Sequence, residues 1–501
     1  MKLKLWSQGM RVVVGVLAAF AVNADAAPAP NPTLKPAQAP SLPVTRERLS
    51  QPTAPVRLVL SLPDDELPRP IASTASTVPA SNTQIARAIE SLRGVASAAV
   101  LRSALVREVA AAVRASVQDV TEAKAARAPQ VTLEATSRFS QVPANSAAQS
   151  LRGTPYYVAT ATVPVYDFGR ITAQVDSRLA SSAAQSERLR GVYEAVAGEA
   201  LIALVELARN RALLAATDRY QDRIAQLARM ISEVIREDRG RASELTQVQS
   251  RLLQAQTARS GIEARLREVE ISMSRLVGDD SQAKALIEAA SSVAVMSAVL
   301  NPPALEPMLA AIDRHPLIKQ LMAEAEAQNQ LGNALGSARH PQISAVVGRT
   351  PINPGATTQY LDFAGVTMVV PLYRGGGDVA AERSVREREI SVRERRGQTE
   401  LDLNARIRIS YQNTTSQLAR ADEYAQLLQI SDRVRRDFYE QWSQIGRRSL
   451  FELLSAEGEH HSLRLAWINA VHDSFVSQMR MRGEAGSFSE WFRLPEKEGV
   501  Q

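Results

Sequence analysis

"TVPVYDFGRITAQVDS" runs from Thr162 to Ser177, and "VVPLYRGGGDVAAERS" runs from Val369 to Ser384. Each reads as a strand end, a proline, a tyrosine, a glycine-bearing turn and the start of a charged, alanine-containing segment. Pro164 and Pro371 hold the residues before them in extended geometry. Gly169, Gly375 and Gly376 permit the tight backbone that a strand needs to swerve into a helix. Other anchors repeat in the same order. Arg127, Pro129, Gln130 and Val131 match Arg339, Pro341, Gln342 and Ile343, and "GRAS" at Gly240 matches "GRRS" at Gly446. The chain is therefore a duplication, each half reading as helix, strand, strand, long helix, turn, helix.

The strand signals have period two, which gives a strand one apolar and one polar face. In "PQVTLEATSRFS" from Pro129, Val131, Leu133, Ala135 and Phe139 alternate with Thr132, Glu134, Thr136 and Arg138. "PYYVATATVPVY" places Tyr157, Ala159, Ala161, Val163 and Val165 on one side. The second zone, "HPQISAVVGRT" from His340 and "YLDFAGVTMVVPLY" from Tyr360, alternates less regularly. Long helices are predicted from Arg170 to about Asp238 and from Gly377 to about Ile445. At about 1.5 Å per residue each is on the order of 100 Å long, thicker than a soluble globular core. The helices after the glycine turns are shorter, and single helices are predicted ahead of the strands, from Thr83 to Arg127 and from Leu305 to Arg339. Two short helices stacked end to end match one long one, giving four rods per chain. Leu245, Val248, Leu252, Ala255, Ile262, Leu266, Val269, Met273 and Leu276 form a heptad seam broken only by Arg259.

Composition narrows the functional classes. The 501 residues are 45% apolar but only 5% aromatic, a helix-rich balance, and the absence of cysteine removes disulfides, thiolate metal sites, thiol nucleophiles and a lipidated cysteine. The net charge of +6 comes without a dense basic block interleaved with aromatics, so nucleic acid is not an expected partner. Residues 1–26 read as a signal peptide: Lys2, Lys4 and Arg11, the apolar run Val12 to Val22, then Ala24-Asp25-Ala26. No later run approaches the roughly twenty apolar residues of a spanning helix, so any passage through a membrane would be as a β-barrel. Residues 27–80, with twelve of the twenty-five prolines, read as an extended arm in which "VRLVLSL" at Val56 has strand character. The first repeat is placed at 81–280, a linker at 281–303, the second repeat at 304–487 and a tail at 488–501.

Taken together, "VPVYDFGR", "VPLYRGGG", "GRASELTQVQSRLLQAQ", "GRRSLFELLSAEGE" and the duplication resemble the TolC family of outer membrane exit ducts over about Ser81 to Ser487. The resemblance implies a mainly α fold with a small transmembrane β part. Duplicated long-helix hairpins of a homotrimer would form an α-helical barrel, continuous with a twelve-stranded outer membrane β-barrel of four strands per chain. It also implies a periplasmic adaptor (membrane fusion) protein, an inner-membrane transporter, expected here to be of ABC type, and outer membrane lipid as partners. Gly240, Arg241, Ser243, Gly446 and Ser449 would dock the adaptor at the hairpin tips, and Arg447, Arg448, Glu452 and Ser455 would stand at the tunnel constriction. Ser455 and Thr246 depart from the family, whose well-known members carry acids there, so a ring of Glu452 would be thinner. The alternative for Arg448 and Glu452 is a solvated helix-tip ion pair without a gating role.

The strand count supports closure by further copies, because four strands of one chain would leave two unpaired edges in lipid. Tyr156, Tyr157, Tyr166, Tyr360 and Tyr373 lie near strand ends, as interfacial aromatics do, or serve plain sheet packing. His315, His340, His460, His461 and His472 are scattered, and no nucleophile, base and orienter group together, so neither an enzyme nor a cofactor or metal site is expected. An exit duct for type I protein secretion, a small-molecule efflux duct and a periplasmic coiled-coil scaffold remain as competing readings. The "YDFGR" turn and the missing lipid-anchor cysteine lean toward secretion.

Overall fold

A computed structural model of the chain describes residues 82–136, 156–237, 242–291, 303–352, 359–443 and 449–492. Residues 1–26, read as a signal peptide, and 27–80, read as an extended arm with "VRLVLSL", lie outside these. The first helical segment divides into α1, Asn82–Arg102, and α2, Ala104–Ala125. Ser103 breaks the predicted single helix by turning extended and accepting a hydrogen bond from the Val106 backbone N–H as the N-cap of α2. Strands β1, Gln130–Thr136, and β2, Tyr156–Tyr166, follow, then α3, Arg170–Glu237, and α4, Ala242–Val277. The segment assigned to a linker carries α5, Ser281–Ala290, N-capped by Asp280.

The second repeat begins with α6, Leu305–Ala310, a single 3-10 turn at Ile312–Arg314, and α7, Pro316–Ser337. The helix predicted from Leu305 is interrupted because Pro316 holds His315 extended, and the His315 ring then accepts from the Leu317 N–H. Next come β3, Gln342–Pro351, β4, Tyr360–Val369, α8, Gly377–Ser443, α9, Leu450–Glu484, and α10, Phe488–Phe492. The expected tail thus starts with a helix whose Phe488 and Phe492 are buried. β4 ends at Val369, short of the predicted Tyr373, where its partner β3 begins at Gln342.

The rods form a layer. α4 and α2 lie alongside α3, meeting where Gly278 lies against the Arg102 side chain. Ser116 of α2 hydrogen-bonds Ser182 of α3 at 3.0 Å, and Arg275 of α4 pairs with Glu199 of α3 at 2.7 Å. The heptad seam of α4 faces this contact, and Arg259, its one polar member, reaches Asp218 of α3 at 2.7 Å. In the second repeat α9 and α7 likewise stack end to end, Gly486 fitting against His315 and Pro316. This composite rod packs on α3 through Ser177 and Ala327, and on α8 through Arg386 with Asn329 and Asn333. The order across the layer is α4–α2, α3, α9–α7, α8. The core lies in the middle, where Val95, Leu201, Leu204, Met273, Val471 and Phe475 pack together. A second cluster near the hairpin ends joins Ile224, Ile231, Val248, Trp442 and Leu453 from four helices.

Candidate functional site

At one end of the layer the described strands form an antiparallel sheet in the order β1-β2-β3-β4. Cross-strand partners share a face, so the register collects Val131 and Leu133, Ala159 and Ala161, Ala345 and Val347, and Val366 and Met368 on one side. Thr132, Glu134, Thr160, Thr162, Ser344 and Thr367 fall on the other. The apolar side is uncovered: Val131, Leu133, Val347, Val366 and Met368 are exposed. Near the loop end of that side, Arg349 and Asp362 form a two-bonded pair at 2.5 and 2.7 Å, with the guanidinium over the Tyr360 ring. β1 and β4 are the edges, and β4 is exposed along its whole length.

The two strand-to-helix turns share a backbone. Phe168 and Gly169 have φ of 52° and 81°, and their counterparts Gly375 and Gly376 have 63° and 77°. Two successive left-handed residues re-aim the chain, a conformation that costs an L-residue roughly 1–2 kcal/mol and glycine little. At the first turn Phe168 bears that strain while its ring packs on Tyr166 and stacks on His340, with centroids 4.7 and 5.0 Å away. Asp167 then satisfies the first helical donors, accepting from Gly169 N at 3.1 Å and Ile171 N at 2.7 Å. Pro164 lies inside β2 at a register shift between Pro164 and Tyr166, whereas Pro371 lies beyond β4.

At the other end Ser449 and Glu452 form a capping box on α9. The Glu452 N–H donates to Ser449 Oγ at 3.3 Å, and the Ser449 N–H donates to Glu452 Oε2 at 3.0 Å. Ser455 is exposed and donates to the Phe451 carbonyl at 2.8 Å, and Ser243 is exposed in the first turn of α4. Further along, Glu457 is 4% exposed between Arg223 of α3 at 3.2 Å and Arg435 of α8 at 3.5 Å. Burial pushes the Glu457 carboxyl up against the opposing pull of the two guanidiniums, and burial pushes Arg223 down.

No family model and no curated protein matches the sequence. Solved structures do match the fold. A membrane protein from Pseudomonas aeruginosa is 16% identical with a TM-score of 0.68, over 79% of this chain and 92% of that one. CusC, described in terms of folding and transmembrane channel formation, is 14% identical with a TM-score of 0.67 over the same shares. The CmeC outer membrane channel of Campylobacter jejuni is 12% identical with a TM-score of 0.66, over 79% of this chain and 86% of that one. The chain has the fold of the TolC-family outer membrane channels.

In this TolC-type fold, Gly169, Gly375 and Gly376 stand at the strand-to-helix turns and Pro371 just ahead of the second, whereas Pro164, expected at the first turn, is still paired within β2. Ser243, Ser449, Glu452 and Ser455 stand near the hairpin ends, with Ser449 and Glu452 in direct contact. Gly240, Arg241, Gly446, Arg447 and Arg448 lie outside the described residues. Sequence reasoning passed over Phe168, which has no residue-type signal for a left-handed turn. It also passed over Asp432, Arg435 and Glu457, although an acid three and four residues ahead of two arginines, and a glutamate beside the buried Leu453, Leu454 and Ala456, were legible signals. Among the described residues no group of acids and histidines could hold a metal ion, and no helix is long and apolar enough to cross a membrane.

Proposed function

We propose that the chain is one third of an outer membrane exit duct: a homotrimer whose twelve strands close a barrel in the outer membrane and whose rods continue it as a tunnel in the periplasm. The observation that carries this reading is that the sheet and the helical layer are open on matching sides. β1 continues from α2 at one edge of each, and β4 leads into α8 at the other. Strands β2, β3 and β4 have 11, 10 and 10 residues, against the roughly 9–11 of a membrane-spanning strand. An open edge in lipid leaves backbone groups unpaired at several kcal/mol each, so further copies must cover β1 and β4.

The duct acts by position rather than by chemistry. An inner-membrane transporter, read as ABC type, supplies energy, and a periplasmic adaptor engages Gly240, Arg241, Ser243, Gly446 and Ser449. Arg447, Arg448, Glu452 and Ser455 ring the narrowest point, where threefold repetition of a carboxylate favours cations. The substrate class is read as protein exported by type I secretion, supported by the "YDFGR" turn. The test is conductance of the detergent-extracted mature protein in planar bilayers, beside comparison of culture supernatants and drug susceptibility in a deletion strain. Trimer-sized channels and loss of a secreted protein support the whole reading. Channels with increased drug sensitivity and unchanged secretion replace secretion by small-molecule efflux, and a folded protein without channels overturns the duct.

A further inference from the structure

Between α3, α8 and α9 the chain gathers more positive charge than it neutralises. Asp432 holds Arg435 at 2.6 Å and Arg436 at 2.9 Å, while Glu457 sits between Arg223 and Arg435. Arg464, two helical turns beyond Glu457 on α9, has no ion pair among the described residues; Arg219 and Arg435 repel it, and Asp432 attracts it from a distance. Four guanidiniums, those of Arg223, Arg435, Arg436 and Arg464, thus share two carboxylates. Three buried nitrogens at the same place have no hydrogen-bond partner: Nε of Arg435, Nε of Arg464 and Nδ1 of His460. A buried donor nitrogen without an acceptor is unfavourable by an amount comparable to a lost core contact.

We propose that Arg223, Arg435, Arg464 and His460 form a binding site for a small inorganic anion of chloride size and charge. One anion supplies an acceptor to the unpartnered guanidinium nitrogens and offsets the excess charge. The three nitrogens are almost wholly buried, so the space at them suits an ion rather than a substrate-sized molecule. The charge environment agrees: Arg464 is pushed down to about 10 and His460 to about 4, chiefly by burial and partly by neighbouring arginines. Since the groups come from three helices, occupancy ties the α8–α9 hairpin to α3. The site concerns the fold of one chain and stands apart from the duct reading.

The full-length mature protein in detergent is heated in sodium chloride and in sodium gluconate at equal ionic strength, beside Arg464→Met. Wild type is expected to unfold several degrees higher in chloride, with an effect that saturates as chloride rises, and Arg464→Met is expected to respond equally to both salts. An equal response of the wild type to both, or the same chloride effect in Arg464→Met, overturns the site. Should Arg464→Met fail to fold, wild-type crystals grown in sodium bromide decide: an anomalous peak within hydrogen-bond distance of the Arg435 and Arg464 guanidiniums supports it. No peak there, or a carboxylate of a second copy in its place, refutes it.

Discussion

α3 and α8 hold the same place in the two repeats and have 68 and 67 residues, yet they meet different surroundings. α3 lies inside the layer and buries Val196, Leu201, Leu204, Ile224 and Ile231 against rods on both sides. α8 lies at the edge and leaves Ile390, Leu401, Ile409, Leu427 and Ile430 exposed. Duplication set the length of both helices, and position in the layer set which faces find a partner. The apolar positions left over on α8 belong, in the proposed assembly, against α2 and α4 of the next copy, where Leu105, Leu253 and Ile271 are exposed in turn.

The sharpest way to break this contrast is a charge on the edge. Leu401, 68% exposed in one chain, should tolerate Leu401→Asp as a folded helix but lose assembly entirely, seen as unchanged helical circular dichroism with no trimer by light scattering. A trimer that survives this substitution would place the copy-to-copy contact elsewhere. Inside the layer, Leu204→Ala removes a fully buried side chain and should lower stability by about 2–5 kcal/mol whether or not copies assemble. Chemical denaturation of the assembled and dissociated protein checks this, and a loss confined to the assembly would contradict the assignment of α3 as interior.

The paired turns give a finer test. Gly376→Val forces a β-branched residue to a φ of 77° and should cost roughly 1–2 kcal/mol, whereas Gly377→Ala, in the first turn of α8, should cost nothing measurable. Equal thermal shifts for the two would show that the left-handed geometry carries no weight. Smallest of all, Glu452→Ala opens the capping box and should cost about 1 kcal/mol, visible as faster amide exchange in the first turn of α9 alone. Protection lost along the whole helix would instead make Glu452 a tertiary anchor.

The period-two strands, the long helices and the duplication were legible because each rests on local residue order, and Gly169, Gly375 and Gly376 announce a turn by type. What was not legible needed tertiary partners. Ser103 and His315–Pro316 divide helices that read as continuous, because the junctions exist to let a short helix stack on another rod. Phe168 takes a glycine-like conformation because Tyr166 and His340 hold its ring. The cluster at Glu457 joins the α8–α9 hairpin to Arg223 of α3, more than two hundred residues earlier in the sequence.

The central claim is that the open edges of one chain close on other copies, and a cysteine-free chain makes it directly measurable. A cysteine at Thr132 in edge strand β1 would be combined with cysteines placed one at a time along β4, from Leu361 to Thr367, and the membrane-extracted protein oxidised. Closure predicts a disulfide-linked ladder that ends at three copies and appears only at alternate β4 positions. A ladder without an upper limit, or monomers at every position, would contradict it.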